Sequence, residues 1–386
     1  MAAPLKPAPP DERPTVGIGM LGYGFMGRAH SNALRQIPST FWPGSFRPEL
    51  VGIAGRTESS VREAATRYGF AGYTTDWADL IADERVDVFD NVGPDATHVE
   101  PTLAAIQAGK HVICEKPLAL EVSDAEMLLE AAERAGVKHL TCFNYRFMPA
   151  VRLARDLIKN GEIGELHQVR FRYSQEWRTD PEAALPSPAG ALTILGCHAV
   201  DQARFLVGEI AGVSGRFSSP VTTMERTYGG QPVEQDDAVT MLAEFDGGLI
   251  GTIDASLVSP GRKNMLSWEI NGSKGSLRWD LEQLNHLHVH RRGAGPTQGF
   301  TEVIVCEAEH ALAAPWWPSA HILGWEHGHA NMLAHFLECV VEDRPVDPYG
   351  ATFADGLQAA RVAAAVAESA RTGTHVPVEP LRTLAG

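Results

Sequence analysis

Three places in the chain carry residues whose types and spacing could do chemistry. The first is Gly22-Tyr23-Gly24-Phe25-Met26-Gly27, a G-x-G-x-x-G turn between the apolar run Val16–Leu21 and a helical pattern. There the first glycine permits a tight turn, the second lets a pyrophosphate approach the backbone, and the third lets helix and strand pack closely. The free N–H groups and partial positive charge of a helix N-terminus suit a phosphate, so the turn predicts dinucleotide binding. The second place is Glu115-Lys116-Pro117, which follows the buried run His111–Cys114. A lysine at the carboxyl end of a sheet strand could bond a substrate hydroxyl, and an oxidised nicotinamide beside it would depress its pKa by like-charge repulsion. A surface lysine is the bland alternative. The third is Gly196-Cys197-His198, with Asp201 three residues on, at the start of a helical stretch. His198 could serve as a general base, or sit in the core bonded to Asp201.

Weaker signals surround these. The run Leu50–Ala54 leads into Gly55-Arg56-Thr57, with no acid where a ribose 2′-hydroxyl would be read and Glu58 one step late. Arg56 leans toward a 2′-phosphate but could also stack on adenine or face solvent, so NAD(H) and NADP(H) both stay open. Trp316-Trp317-Pro318 could floor a carbohydrate or form a packed loop. His286, His288 and His290 alternate on one strand face and read as solvated. His327 and His329 are spaced like paired ligands, but no cysteine or acidic cluster accompanies them, so no metal is expected.

The elements that must position these groups follow from periodicity. A length of 386 residues suggests two or three domains. Strands are predicted at Val16–Leu21, Leu50–Ala54, Val86–Asn91, His111–Cys114 and His139–Cys142. Helices are predicted between them at Gly27–Gln36, Ser59–Tyr68, Ala96–Ala108 and Val122–Ala135. That alternation builds a parallel sheet covered on both faces. After Tyr145 come a helix (Pro149–Asn160), a strand (Leu166–Tyr173), a Pro/Ala-rich loop (Asp180–Ala189) and a helix (Ile194–Val207). Strands then run at Val239–Phe245, Leu249–Ser256, Met265–Ile270, Ser276–Trp279 and Leu287–His290, and helices at Gly328–Val341 and Ala351–Ala370. The expected layout is a disordered tail at 1–14, a doubly wound α/β dinucleotide-binding domain at 15–144, and a substrate-binding α+β domain with a large, mostly antiparallel sheet at 145–386.

Composition narrows the partners. Hydrophobic residues make 44% and charged residues 21% of the chain, and the net charge is 33 − 48 = −15. Nucleic acids and anionic membranes are bound chiefly through Lys and Arg, so neither is expected as a partner. Five scattered cysteines without a CxxC pair read as reduced thiols in a cytoplasmic protein. No run is long and apolar enough to cross a bilayer, and the proline-rich N-terminus lacks the apolar stretch of a signal peptide.

Taken together, these segments resemble the Gfo/Idh/MocA family of nicotinamide-dependent sugar and cyclitol oxidoreductases. The resemblance rests on the glycine turn, Asp87–Asn91 leading to Pro94–His98, Glu115-Lys116-Pro117, Asn144-Tyr145-Arg146-Phe147, and Gly196-Cys197-His198 with Asp201. The stretches Gln175-Glu176-Trp177…Asp180-Pro181 and Trp316…His321 to Glu326 look most like the levoglucosan-dehydrogenase-type branch, which oxidises pyranose rings. The resemblance implies an N-terminal Rossmann domain and a cofactor, NAD(H) or NADP(H), held by Gly22, Tyr23, Gly24, Phe25, Met26, Gly27, Arg56, Pro94, His98, Glu115 and Lys116. It implies that Lys116 bonds the reacting hydroxyl and His198 exchanges its proton. A sugar-like substrate would also meet Tyr145, Arg146, Gln175, Trp177, Ile194 and Trp317. The second-domain sheet would form an oligomer face, giving a dimer or tetramer.

One position departs from the family pattern. An aspartate usually stands four residues before the histidine, and here that residue is Ile194. Either the substrate pose differs, or another acid such as Glu176 or Asp180 compensates, or activity is weakened or lost. The alternatives to a dehydrogenase are a nucleotide-binding sensor and a glycoside-cleaving enzyme that retains its cofactor.

Overall fold

The computed structural model describes residues 11–180, 189–220, 227–228, 231–232, 236–293 and 295–381. Strands β1 (Thr15–Leu21), β2 (Arg47–Ala54), β3 (Gly72–Thr74), β4 (Val88–Asn91), β5 (His111–Cys114) and β6 (His139–Thr141) form one parallel sheet in the order β3-β2-β1-β4-β5-β6. Helices α1 (Phe25–Thr40), α2 (Glu58–Tyr68), α3 (Trp77–Ala82), α4 (Val99–Gln107) and α5 (Val122–Ala135) connect the strands. After Thr15 every residue of β1 is buried, as a strand covered on both faces must be. The edge strand β3 and the short α3 were not anticipated, because three residues of Gly-Tyr-Thr carry no readable period.

The second half opens with α6 (Pro149–Lys159), β7 (Leu166–Ser174) and α7 (Cys197–Leu206), then β8 (Ile210–Ser218) and a small β9 (Thr227–Tyr228)–β10 (Gln231–Pro232) ladder. It continues with β11 (Ala238–Phe245), β12 (Ile250–Ser256), β13 (Met265–Gly272), β14 (Gly275–Asp280), β15 (His286–Arg291), β16 (Thr301–Ile304), α8 (Trp325–Val341), α9 (Phe353–Thr372) and β17 (Val376–Pro377). Nine of these strands form one sheet, β16-β15-β14-β13-β7-β12-β11-β8-β17. Its pairs are antiparallel except β7 with β12. Buried and exposed residues alternate along β11, so one face packs on helices and the other is open.

Part of the chain beyond residue 145 packs on the core of the first domain. Trp316, Leu323 and the α8 residues Ala330, Leu333, Phe336 and Leu337 pack in one cluster with Val16, Ile18 and Leu34 of the first domain. Periodicity gives each helix an apolar face but not the partner that covers it. Of the expected tail, residues 1–10 lie outside the described residues, as do residues 181–188 of the Pro/Ala-rich loop. Arg13 is held against the first domain, with its guanidinium 4.5 Å from the Trp42 ring centroid. No helix among the described residues is long and apolar enough to cross a membrane.

Candidate active site

The glycine turn leaves β1 at Gly22, whose φ of +109° excludes most side chains and whose added Cβ would lie 2.8 Å from the Val92 carbonyl. A Cβ on Gly27 would collide with the Gly22 carbonyl, which fixes how closely α1 starts against the turn. Gly24 differs: a Cβ there meets nothing within 4 Å. It caps α1 without a side-chain bond, leaving the first N–H groups of the helix to a ligand. The open side of Gly24 and the uncapped helix fit a pyrophosphate. Tyr23 lies over Gly55 at the end of β2, and Arg56 beyond it is exposed.

The turn and the strand ends meet the second domain in a cleft of ≈ 390 Å³. Phe25, Met26, Glu115, Lys116, Tyr145, Gln175, Ile194 and His198 all line it, which brings eight of the expected residues together. Lys116, at the end of β5, donates to the Ile194 carbonyl at 3.4 Å. That carbonyl belongs to a π turn, Leu192–Gly196, which precedes α7 and replaces the regular helix expected from Ile194. Such turns recur at functional sites because they redirect backbone groups. His198 then enters the cleft among aromatic rings, with centroids 4.9 Å from Tyr145 and 5.8 Å from Phe143 and Tyr173.

The electrostatics set different protonation states on the pair. Burial, followed by the Lys116 ammonium, pushes His198 well below the usual histidine range and keeps it neutral. Burial opposes the charge on Lys116, but Cys197, Glu115 and Asp95 outweigh it and raise the lysine. The expected depression of Lys116 required a nicotinamide cation beside it; the protein alone acts in the other direction. A protonated lysine and a neutral imidazole in one cleft are a donor and an acceptor for a single hydroxyl.

Behind Lys116 lies a buried chain that the sequence reading missed. His30 Nδ1 is 3.0 Å from Asp90 Oδ2, and its Nε2 faces Glu115 Oε1 across 3.4 Å. Glu115 Oε2 accepts the Lys116 main-chain N–H at 3.0 Å. His30, Glu115 and Cys142 offer one ligand atom each within 4.8 Å of one another, the residue types of a metal site. Here the imidazole is shared between two carboxylates. Asn144, Tyr173, Lys263, Asn264, Trp325 and His329 also line the cleft without having been anticipated. The Trp325 ring stacks on Phe25 at 5.6 Å, joining the glycine turn to α8. A WxxxH spacing, Trp325 to His329, was the one available signal, since both then share a helix face.

Several expected contacts lie elsewhere. Arg146 is buried and gives Asp201 two bonds from Nε, each at 3.0 Å, and one from Nη2 at 2.6 Å; Nη2 also reaches Asp355 of α9 at 2.9 Å. It is therefore an internal ion pair outside the cleft lining, and Asp201 bonds Arg146 rather than His198. His98 donates to two carbonyls, Pro117 at 2.7 Å and Gly93 at 3.1 Å, so it braces two loops. Pro94 is exposed at the start of the turn Asp95–Thr97. Trp177 stands behind Gln175, to which its Nε1 donates. Trp316 is the packed residue of its pair, bonded to Asn331, while Trp317 is 54% exposed and outside the cleft lining. Glu176 is engaged by Lys263 and by the Gly261 N–H, so it does not replace the missing aspartate. Asp180 is exposed.

Comparison with known proteins bears on the family and the fold. The model for the oxidoreductase family with NAD-binding Rossmann fold matches residues 16–143, and that for the GFO/IDH/MocA C-terminal domain matches residues 151–278. The chain is 34% identical over 387 residues to levoglucosan dehydrogenase of Pseudarthrobacter phenanthrenivorans, covering 94% of this chain and 98% of that protein. A crystal structure of an oxidoreductase domain protein from Kribbella flavida shares 40% identity with a TM-score of 0.90, covering 95% of this chain and all (100%) of the other. A levoglucosan dehydrogenase complex with NADH and levoglucosan shares 34% identity with a TM-score of 0.91, at 95% and 100% coverage. By sequence, by domain content and by the Lys116–His198 cleft beside a glycine turn, this chain belongs to the Gfo/Idh/MocA oxidoreductase family.

Proposed function

We propose that this protein is a nicotinamide-dependent dehydrogenase that moves a hydride to or from a ring carbon of a sugar, glycoside or cyclitol. The observation that carries the reading is the protonated Lys116 and neutral His198 in one cleft with the glycine turn. The bound cofactor supplies a hydride acceptor. In the oxidative direction His198 takes the hydroxyl proton as the carbinol hydrogen leaves with its electron pair, and Lys116 holds the oxygen against its developing negative charge. A sensor would be free to lose both groups, and the chain keeps them.

The test is the initial rate of nicotinamide reduction with pyranoses, anhydrosugars, glycosides and inositols, each with NAD and with NADP. Turnover of one group, lost in Lys116→Ala while NADH binding persists, supports the assignment. Full activity in Lys116→Ala sinks it. If Arg56 reads a 2′-phosphate, Arg56→Ala should lower the NADP to NAD preference by about tenfold; an unchanged preference leaves it to adenine or solvent.

The open face of the nine-stranded sheet is our candidate for self-association into a dimer or tetramer. It exposes Leu242 (49%) and Ile250 (49%) on adjacent strands. Light scattering on wild type and Leu242→Lys would report the loss of such an assembly. Five free, buried cysteines accord with a cytoplasmic setting.

A further inference from the structure

One wall of the cleft is a hydrogen-bonded chain whose direction is fixed from its ends. Trp177 Nε1 donates to Gln175 Oε1 at 2.6 Å, and Gln175 Nε2 donates to Asn264 Oδ1 at 2.6 Å. Tyr173 donates to the same Asn264 oxygen at 2.8 Å, and the Tyr145 and Tyr173 hydroxyls are 2.8 Å apart. Trp325 Nε1 lies 3.4 Å from the Tyr145 hydroxyl. An indole N–H donates and never accepts. Trp177 therefore turns the Gln175 carbonyl toward itself and the Gln175 amide nitrogen toward Asn264. Asn264 must answer with its carbonyl, Tyr173 gives its proton there, and Tyr145 gives its own to Tyr173. Reversing any one amide would set donor against donor.

This direction decides what the wall can offer a ligand. The indole takes one lone pair of Gln175 Oε1 and leaves one, and both lone pairs of Asn264 Oδ1 are taken. The N–H groups of Asn264 Nδ2 and the second N–H of Gln175 remain. Neighbouring Lys263 adds an ammonium with three hydrogens, one of which meets Glu176. Among the described residues lining the cleft the only carboxylate is Glu115, already committed to the Lys116 N–H and His30. Ile194 brings none. A hydroxyl placed on this wall finds several donors for its oxygen and a single acceptor for its proton, the second lone pair of Gln175 Oε1. A carboxylate brings acceptors alone, and bonds from N–H groups to an anion are roughly twice as strong as neutral ones.

We infer that the substrate of this dehydrogenase is an acidic sugar, a pyranose or cyclitol ring bearing a carboxylate that docks on Asn264, Gln175 and Lys263. Trp177 is a positioning residue that acts through Gln175. The inference rests on the proposed dehydrogenase reading for the ring chemistry and adds the class of ring.

The experiment compares matched ligands that differ only at one exocyclic carbon: methyl glucoside with methyl glucuronide, and methyl galactoside with methyl galacturonide. Binding to the NADH-loaded protein is read from nicotinamide fluorescence, and turnover from NAD and NADP reduction. The expected result is a preference of about tenfold or more for an acid over its neutral partner. That margin should shrink at least about fivefold in Trp177→Phe, which keeps the ring and loses the N–H, and in Asn264→Asp, which puts an acid on the wall. Should Asn264→Asp not fold, Trp177→Phe carries the comparison. A neutral glycoside bound and oxidised as well as its acid, or better, overturns the acidic-sugar inference and leaves the dehydrogenase standing. No binding and no turnover with any ring, in protein that binds NADH, overturns both.

Discussion

The ammonium of Lys116, at the end of β5, meets the main-chain carbonyl of Ile194, 3.4 Å away in the π turn before α7. A backbone oxygen thus anchors the lysine at a residue whose own side chain offers no acceptor. Because the anchor is the carbonyl, Ile194→Ala should keep kcat within about threefold, as a change that leaves the catalytic hydrogen bonds intact does. Ile194→Asp should raise turnover of neutral pyranoses by about tenfold, since it supplies a further acceptor for a hydroxyl-rich ring. Steady-state kinetics on both variants checks this; a loss of two orders of magnitude in Ile194→Ala would remove the carbonyl from the account.

A base must be neutral to take a proton. Burial and Lys116 push His198 well below 6.5, so kcat/KM for oxidation should not fall through a histidine limb between pH 8 and 6.5. His198→Asn should lower kcat by about 10²–10⁴-fold with NADH affinity retained. An acid limb centred at or above pH 6.5 would contradict the assignment.

Gly24 separates stability from cofactor binding. Its φ is −72° and a Cβ would meet nothing within 4 Å, so Gly24→Ala should fold with an unchanged thermal midpoint. The same methyl would stand where the pyrophosphate approaches, and the NADH dissociation constant should rise by about tenfold or more. Fluorescence titration reads this directly. Gly27→Ala, by contrast, should lose stability as well, because its Cβ runs into the Gly22 carbonyl.

Arg146 should behave as a structural cation. Arg146→Leu leaves Asp201 buried without its partner while Asp355 keeps Arg204, a change that costs about 3–5 kcal/mol in denaturant unfolding. A substrate contact would instead raise KM at constant stability.

The Asp90–His30–Glu115 chain gives stability a pH signature. Burial opposes the charge on His30, but Asp90 and Glu115 raise it from 6.5 to about 10. A raised histidine contributes fully below pH 6.5, and the contribution is lost as pH climbs through about 10. The thermal midpoint of the wild type should therefore decline between these values, and His30→Gln should flatten that decline while lowering the midpoint near neutrality.

Local patterns made much of this protein legible. The glycine turn, the alternation of strand and helix, and the placing of Lys116 at a strand end all depend on residues within a few positions of one another, where spacing dictates geometry. The expectations that the structure overturned share a cause. Asp201 sits one turn from His198 in the chain, yet its carboxylate goes to Arg146, 55 residues earlier, in a cluster completed by Asp355 from α9. Trp177 is two residues from Gln175, and only its indole N–H, not its ring, bears on the cleft.

By itself the sequence determined a doubly wound dinucleotide domain and an α+β partner, and it singled out Lys116 and His198 as the candidates that the structure places in one cleft. Hydrophobic periodicity and glycine stereochemistry are properties of short segments and survive without knowledge of what packs against them. Only the tertiary structure decided that α8 joins the first domain's core, that the Ile194 carbonyl holds Lys116, and that Lys263, Asn264 and Trp325 face the same cleft. Those are pairings between distant segments, fixed by which buried donors and charges find partners once the chain has closed.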